Sequence, residues 1–450
     1  MLCSVCRRCG LCEGDGSFSA DKNIIVSSQG ILDFSLPPDD TARGTDVGAV
    51  FDIGTTTLAA RIYRLCTAEL IGESRAVNPQ VKFGSDIVSR ISYASDGHGP
   101  EEPHFCLAEK LSAMLAELYS QAASYFLSRR MGRPVMSRIV IAGNTAMQSL
   151  ALGLDVSGLR QFPFRPASLF GESVDFRAVF SGRPSFLECP VYASPAVSAF
   201  IGGDAVCAML ACGLADDTAD TEPLFLADLG TSCEMAVRIP GSGRILCASS
   251  AAGPAFEGFG ISCGMPACEG AVADFYFDVN NNPVRRVLGG GEARGLCGTG
   301  LLNVIHALYE SGAIDFRGTM THGGDGFAVA PKVRLSQKDV RSFQLAKGAV
   351  YAGLTVLLKE GSVTGGKLFL SGGFGTKLDV PKAVALRMIP SVFRDSVVHA
   401  GNAALSGAAL LLLDEGARSR AERMSRKAEC IDLAQYAGFE SIFMDSIDFK

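Results

Sequence analysis

The chain has 450 residues, of which 48% are hydrophobic and 20% charged, and its formal net charge is −6. This length predicts two domains with large buried cores, and the net negative charge argues against a nucleic-acid partner, whose phosphates would be repelled. We expect a cytoplasmic protein without a membrane anchor. The first residues lack the apolar segment of a secretory signal, and the longest apolar helix candidate, residues 403–413, is too short to span a bilayer.

The first 46 residues are predicted to form a Cys-rich head and linker. Four cysteines follow one another at every third position: Cys3, Cys6, Cys9 and Cys12. Four closely spaced thiolates suit a [4Fe–4S] cluster. The spacing leaves open a zinc site or a head without a metal, because the usual bacterial cluster run has one residue more before its last cysteine.

From Val47 onward, apolar strands alternate with helical segments, which is typical of an α/β fold. One unit of strand, loop and second strand occurs twice, and its loops read Asp52-Ile53-Gly54-Thr55-Thr56-Thr57 and Asp228-Leu229-Gly230-Thr231-Ser232. The glycines let the backbone approach a ligand closely, and successive N–H groups with hydroxyls form an anion site. The two aspartates at the strand ends can hold hydrated Mg2+. Two such loops facing each other predict a site for a nucleoside triphosphate.

The remaining predicted elements continue this duplication. Helices are predicted over residues 86–93, 105–130, 205–214, 301–311, 337–359 and 402–413. Two later apolar strands end in glycine turns, one at Gly143 and one at Gly372-Gly373-Phe374-Gly375. The order of hairpin, insertion, helix and strand–glycine turn is therefore repeated. We predict a first lobe over 47–205, a second lobe over 206–413 and a C-terminal tail over 414–450 that begins with a charged helix end.

Several polar residues near these loops are open to more than one interpretation. Glu257 lies in a glycine loop after the second hairpin, where a carboxylate can orient the attacking water or hold the metal through water, or where the loop can be a bare turn. Asn144 and Asn402 are expected to be turn residues. Lys338 and Lys347 are expected to be solvated charges on a helix.

The two phosphate loops and the late glycine turn resemble those of the actin, hexokinase and heat-shock chaperone superfamily. That resemblance implies a two-lobed, duplicated ribonuclease-H-like (actin-like ATPase) fold, with Gly372, Gly373 and Gly375 against the adenosine of ATP. An ordered set of segments resembles, more narrowly, the ATP-dependent reductive activators of corrinoid proteins. These segments include Asn78-Pro-Gln80, Gly143-Asn-Thr-Ala-Met147, Ala252-Gly-Pro-Ala-Phe-Glu257-Gly258, Gly295-Leu-Cys-Gly-Thr-Gly300, Gln344-Leu-Ala-Lys347 and Gly401-Asn-Ala-Ala404.

This second resemblance implies that ATP and Mg2+ drive the reduction of a corrinoid carrier protein from Co(II) to Co(I), through a lobe movement and an iron–sulfur centre. The best-known layout of the family has a ferredoxin domain and a linker domain, which residues 1–46 cannot contain. The head would replace them, or an external ferredoxin would donate the electron. A homodimer is expected.

Two alternatives stay open. One is an activator of a 2-hydroxyacyl-CoA dehydratase, a type of protein that holds one cluster between two subunits with loop cysteines; the candidates here are Cys263, Cys268 and Cys297. The other is an ATP-gated interaction module without redox chemistry.

Overall fold

The structure, a computed structural model, describes residues 25–27, 30–32, 44–84, 86–182, 187–216, 222–321 and 326–450. The four predicted cluster ligands lie outside the described residues: Cys3, Cys6, Cys9 and Cys12. Two six-stranded sheets of similar topology are each the centre of one lobe. We call residues 44–216 the first lobe and residues 222–450 the second lobe.

The first sheet combines an antiparallel meander with parallel strands. The strands up to the end of this lobe are β1 (Ile25–Ser27), β2 (Gly30–Leu32), β3 (Asp46–Ile53), β4 (Thr57–Arg64), β5 (Glu69–Val77), β6 (Val135–Gly143), β7 (Glu172–Val174) and β8 (Val191–Ala193). β1 and β2 form a separate antiparallel pair, and the sheet has the order β5-β4-β3-β6-β8-β7. β6 and β8 run parallel to β3 and to each other, whereas β4 and β5 are antiparallel neighbours.

The helices of the first lobe are α1 (Ile87–Tyr93), α2 (Glu101–Ser128), α3 (Thr145–Ala151) and α4 (Gly203–Ala211). α2 presents an apolar stripe that includes Leu107, Leu111 and Leu118 to one face of the sheet, as helical periodicity requires. On β3 the alternate residues Phe51 and Ile53 pack on that face. Asp52 therefore points to the opposite face, because successive side chains of a strand alternate.

The second lobe repeats this arrangement around an insertion. Its strands are β9 (Leu224–Leu229), β10 (Cys233–Arg238), β11 (Ile245–Ser250), β12 (Ala271–Phe277), β13 (Pro283–Val287), β14 (Gly295–Leu296), β15 (Phe327–Ala330), β16 (Val333–Leu335), β17 (Lys367–Ser371), β18 (Val397–Gly401) and β19 (Glu429–Ile431). The large sheet has the order β18-β17-β9-β10-β11-β19, and β12 to β16 form two small sheets. β9, β10, β11, β17 and β18 thus occupy the places of β3, β4, β5, β6 and β8.

The helices of the second lobe are α5 (Gly298–Glu310), α6 (Gln337–Glu360), α7 (Gly372–Gly375), α8 (Val380–Ala385), α9 (Ala403–Leu413), α10 (Glu415–Lys427) and α11 (Phe439–Ile447). The predicted helices are present with small shifts at their ends. The glycine turn at 372–375 is itself the short helix α7. The predicted lobe boundary at residue 205 lies within α4, so it divides a single helix.

α4 and α9 pack against each other between the two sheets. A shared core contains Val50 and Ala59 of the first sheet and Leu226 and Ala236 of the second sheet, together with both helices. The helices approach closely because α9 carries Gly407, where a Cβ atom would collide with the backbone of α4. The face of β3 that carries Asp52 and the face of β9 that carries Asp228 therefore both border this shared core.

The C-terminal segment packs on the second lobe. β19 extends the large sheet by pairing with β11, and α11 packs on α6. Lys347 of α6 is completely buried and donates hydrogen bonds to the main-chain oxygens of Ser446 and Asp448, the latter at 2.6 Å. The prediction that Lys347 is a solvated charge was therefore wrong, because the C-terminal segment covers it.

Candidate nucleotide site

The two glycine–threonine loops lie where β3 and β9 end, at the border between the lobes. In each loop the glycine N–H closes a tight turn on the strand that follows. The N–H of Gly54 donates to the main-chain oxygen of Thr57 at 3.1 Å, and that of Gly230 to the oxygen of Ser232 at 3.2 Å. Thr55 and Thr56 lie within the first turn, and Thr231 lies within the second.

Glu257 connects the two loops. Its carboxylate accepts a hydrogen bond from the Thr56 hydroxyl of the first loop at 3.2 Å. It also accepts two from Thr231 of the second loop, from the main-chain N–H at 2.8 Å and from the hydroxyl at 2.9 Å. A carboxylate thus occupies hydrogen-bond donors of both loops, which are donors of the type that bind phosphate.

The short 3-10 helix Pro254–Glu257 holds this carboxylate in place. The ring of Phe256 stacks on the ring of Phe374 with 4.6 Å between centroids and 2° between planes. Phe374 belongs to the late glycine turn. The stacked rings therefore pack this turn against the 3-10 helix that carries Glu257. Phe256 also contacts Phe343 of α6 edge-on, with the centroids 6.3 Å apart.

Asp52 and Asp228 are each held by a polar residue that begins or precedes a helix. The Asn402 amide donates to Asp52 Oδ2 at 2.9 Å, and the Ser371 hydroxyl donates to Asp228 Oδ2 at 3.0 Å. Burial raises the pKa of Asp52 to about 6, and the hydrogen bond from Asn402 and the charge of Arg75 oppose this rise. Burial likewise raises the pKa of Asp228 to about 6, against the hydrogen bond from Ser371.

Two further carboxylates that the sequence analysis did not select belong to this cluster. Asp204 lies in the first turn of α4; burial and then the charge of Asp52 raise its pKa to about 7. Glu234 stands directly opposite Asp228 on the neighbouring strand β10. Burial, followed by the charges of Asp204 and Asp228, raises the pKa of Glu234 well above its usual value. Glu234 follows the second phosphate loop closely in the sequence. Pairing of the predicted hairpin would have placed it opposite Asp228, so the sequence could have identified Glu234 as a site residue.

Three asparagines brace the phosphate loops, although two of them were expected to be simple turn residues. Asn144 and Asn402 use the amide oxygen to cap α3 and α9. Their amide nitrogens instead reach the loops, since Asn144 donates to Thr55 Oγ1 at 3.2 Å. Asn78, the first residue of the Asn-Pro-Gln segment, donates to the main-chain oxygen of Gly54 at 2.8 Å.

The late glycine turn lies against the second loop. Gly372 has φ of +84°, and a Cβ atom there would lie 2.6 Å from the main-chain oxygen of Leu229 and 2.7 Å from Asp228 Oδ1. At Gly373 a Cβ atom would meet nothing within 4 Å. The backbone at Gly373 therefore borders open space, whereas Gly372 is closely packed.

The oxygen-rich cleft fits magnesium that is bound together with phosphate. Within the described ranges, no three His, Cys, Asp or Glu side chains are arranged to hold a metal ion by themselves. Mg2+ usually keeps several waters and is bound through one or two carboxylates plus the phosphates of its substrate. Asp52 and Asp228 can hold the hydrated ion, and the phosphates of ATP would supply further ligands.

The three loop cysteines of the alternative redox interpretation differ in their burial. Cys263 is half-buried, Cys268 is exposed and Cys297 is buried. The Cys297 thiol donates to the main-chain oxygen of Val272 at 3.4 Å, as expected for a structural thiol.

In the part of the chain that the structure describes, no helix has the length and apolar character needed to cross a membrane.

Comparisons with known families account for both lobes. One family profile, described as the C-terminal domain of RACo, the ASKHA domain, matches residues 222–450, more than half of the chain. A second, described as the RACo middle region, matches residues 47–217. The two matches together leave unmatched the first 46 residues and a short segment between the lobes.

Named relatives are similar over most of the chain. The corrinoid activation enzyme RamQ of Eubacterium limosum is 29% identical over 451 residues, covering 94% of this chain and 73% of that protein. The [Co(II) methylated amine-specific corrinoid protein] reductase of Methanosarcina barkeri is 25% identical over 433 residues, covering 89% of this chain and 77% of that protein. A solved structure of a reductive activator for corrinoid, iron-sulfur protein superposes with a TM-score of 0.76 at 27% identity, covering 91% of this chain and 67% of that one.

Proposed function

The chain belongs to the RACo family, and on that premise we propose that it is an ATP-driven reductive activator that returns the cobalt of a corrinoid protein from Co(II) to Co(I). Its similarity to a corrinoid activation enzyme and to a Co(II) corrinoid protein reductase supports this activity. The ASKHA fold implies binding of ATP and Mg2+. A corrinoid protein is accordingly the partner.

The observation that carries the proposal is the contact of Glu257 with both loops. Glu257 engages Thr56 of the first lobe and Thr231 of the second lobe. A γ-phosphate would compete for the same donors and would repel the carboxylate, because both are negative. ATP binding would therefore displace Glu257 from these donors and replace its link between the lobes with a link through phosphate.

Displacement of Glu257 places a carboxylate beside the γ-phosphate, where it can accept a proton from the attacking water. Asp52 and Asp228 remain oriented by Asn402 and Ser371, and they would hold the metal ion through its waters. Bound Mg2+ neutralises charge on the β- and γ-phosphates. Hydrolysis and phosphate release would restore the contacts of Glu257.

The lobes would be connected by Glu257 without ATP and by phosphate with ATP. Switching between these two connections would couple ATP hydrolysis to a change at the corrinoid protein. The lobes meet at α4 and α9, and a relative rotation there is a hinge movement of the kind that a γ-phosphate can bias. The N-terminal end of each helix touches the site, since Asn402 precedes α9 and Asp204 lies in the first turn of α4. Binding or loss of the γ-phosphate would therefore act on the first turns of both α4 and α9.

The experiment follows Co(I) formation by visible absorbance, using a Co(II) corrinoid methyl carrier protein, Mg-ATP and a low-potential reductant under anaerobic conditions. Glu257→Gln should slow ATP hydrolysis by about 100-fold or more, which is a typical contribution of a general base, and should slow Co(I) formation in parallel. Glu109→Gln, which changes an exposed carboxylate on α2, is the control. Co(I) formation at an equal rate with and without ATP would contradict the proposal.

The electron source is the second part of the proposal, and it rests on sequence alone. We propose that Cys3, Cys6, Cys9 and Cys12 hold a [4Fe–4S] cluster, with an external ferredoxin as the donor, and that the protein is a homodimer. Anaerobically purified protein should then contain about four irons per chain, and light scattering should report twice the chain mass.

Replacing Cys6 and Cys9 by Ser should remove the iron and leave ATP hydrolysis unchanged, whereas Cys189→Ser should keep the iron. One zinc and no iron would show the head to be a structural clasp, and a ferredoxin would then reduce the corrinoid protein directly.

A further inference from the structure

Three residues form a row across the meander of the first lobe. Asp52 on β3 stands opposite Ala59 on β4, and Ala59 stands opposite Arg75 on β5. Directly opposed residues of antiparallel strands have their side chains on the same face of the sheet. Asp52, Ala59 and Arg75 therefore all lie on one face.

This face is the one that borders the cleft. Ala59 is buried in the core shared by both sheets and the interlobe helices α4 and α9, and Asp52 is bonded to Asn402 at the start of α9. Neighbouring strands lie about 4.8 Å apart, so Arg75 begins roughly 10 Å from Asp52. An extended arginine side chain spans most of that distance, and Ala59, the residue between them, carries only a methyl group.

None of the described residues holds the guanidinium of Arg75 away from the cleft. Among the described residues, none forms a hydrogen bond or an ion pair with it, and its side chain is exposed. Arg61, on the same face of the same sheet, differs in this respect because it is bonded to Glu73 at 2.6 Å. The positive charge of Arg75 acts on the cleft, since it lowers the pKa of Asp52.

The corresponding row of the second lobe contains a second carboxylate and no cation. Asp228 stands opposite Glu234, and Glu234 stands opposite Ser249. The position of Ala59 is thus taken by a carboxylate, and the position of Arg75 by a neutral hydroxyl. The two sides of the cleft are therefore electrically unequal, although the lobes have the same topology.

We propose that Arg75 binds the phosphate chain of ATP, reaching over Ala59 as the cation that the first lobe contributes to the cleft. The inference rests on the proposed function, since it takes ATP to be the ligand. The triphosphate is strongly negative and enters a cleft with five carboxylates, namely Asp52, Asp204, Asp228, Glu234 and Glu257. An arginine is suited to phosphate because its planar group donates two parallel hydrogen bonds.

The test measures the dissociation constants of ATP and AMP by calorimetry for the full chain and three variants, with circular dichroism as a check of folding. Arg75→Ala should weaken ATP binding by about 10- to 100-fold, the usual effect of losing charge-assisted hydrogen bonds. AMP binding should change less than about 3-fold, because the terminal phosphates are missing. Arg75→Lys should restore part of the ATP affinity. Arg61→Ala, which removes a charge from the same face, should leave it unchanged.

The outcomes separate this inference from the proposed function. Equal ATP affinity of the wild type and a folded Arg75→Ala variant would overturn the inference alone. An equal loss in Arg75→Ala and Arg61→Ala would also overturn it, because the effect would then be general surface charge. If the wild type bound no ATP at all, both the proposed function and the inference would fail.

Discussion

Replacing Asp204 by Asn should stabilise the nucleotide-free protein against unfolding. Asp204 lies in the first turn of α4 and is close enough to Asp52 and Asp228 for their charges to raise its pKa. Asparagine has nearly the same shape and can still accept the local hydrogen bond that the Ala205 N–H donates at 2.7 Å. The substitution therefore removes mainly a charge that burial and two neighbouring carboxylates disfavour.

The size of the effect follows from the pKa. The value rises from 3.8 to about 7 on folding, and one pKa unit corresponds to about 1.36 kcal/mol, so the upper limit is about 4 kcal/mol. We expect roughly 1–3 kcal/mol, because neighbouring carboxylates take up protons when Asp204 is charged.

The sign depends on pH in a defined way. Below pH 3.8 the carboxyl group is neutral in both states, and the variant gains nothing. Between pH 3.8 and about 7 the folded wild type retains a proton that the unfolded chain has lost, so wild-type stability falls as pH rises. The advantage of Asp204→Asn should therefore grow over this range and stay constant above it.

The assay is urea unfolding of wild type and Asp204→Asn at pH 5 and pH 8 without nucleotide, with Asp395→Asn as the control at an exposed position. The gain in the free energy of unfolding should be larger at pH 8, and the control should show none. A gain of the same size at both pH values, or a loss at pH 8, would refute the electrostatic reasoning.

Three further predictions concern packing around the site. Gly372→Ala should lower the free energy of unfolding by roughly 1–3 kcal/mol, because its backbone has positive φ and its Cβ would crowd the second loop; Gly373→Ala, which enters open space, should unfold at the wild-type urea concentration. Lys347→Met should cost roughly 2–5 kcal/mol, because the main-chain oxygens of Ser446 and Asp448 lose their donor. It should also expose the C-terminus to limited proteolysis, unlike Lys338→Met on the exposed face of the same helix. Phe374→Leu should lose about 0.5–1.5 kcal/mol of ring stacking and lower ATP turnover more than ATP affinity; a wild-type turnover would show that the stack does not position the carboxylate beside it.

Local sequence was sufficient to predict the elements that repeat within a short stretch. An apolar strand, a glycine–threonine loop and a second strand fix each hairpin, because the turn chemistry and the alternation of side chains act over a few residues. The duplication of this unit predicted two sheets of the same topology, and the sheet orders confirm it. Glu257 could be selected because it lies in a glycine loop that follows the second hairpin.

Tertiary structure decided which distant residues complete the cleft. Asn402 reaches Asp52 across 350 positions of sequence, and Glu257 reaches Thr56 across 201, contacts that depend on how α9 and the two sheets pack. The burial of Lys347 likewise depends on where the last residues of the chain lie. A sequence pattern records the local conformation of each segment, whereas a carboxylate acquires its neighbours, its pKa and its partners only when segments from both lobes exclude water together.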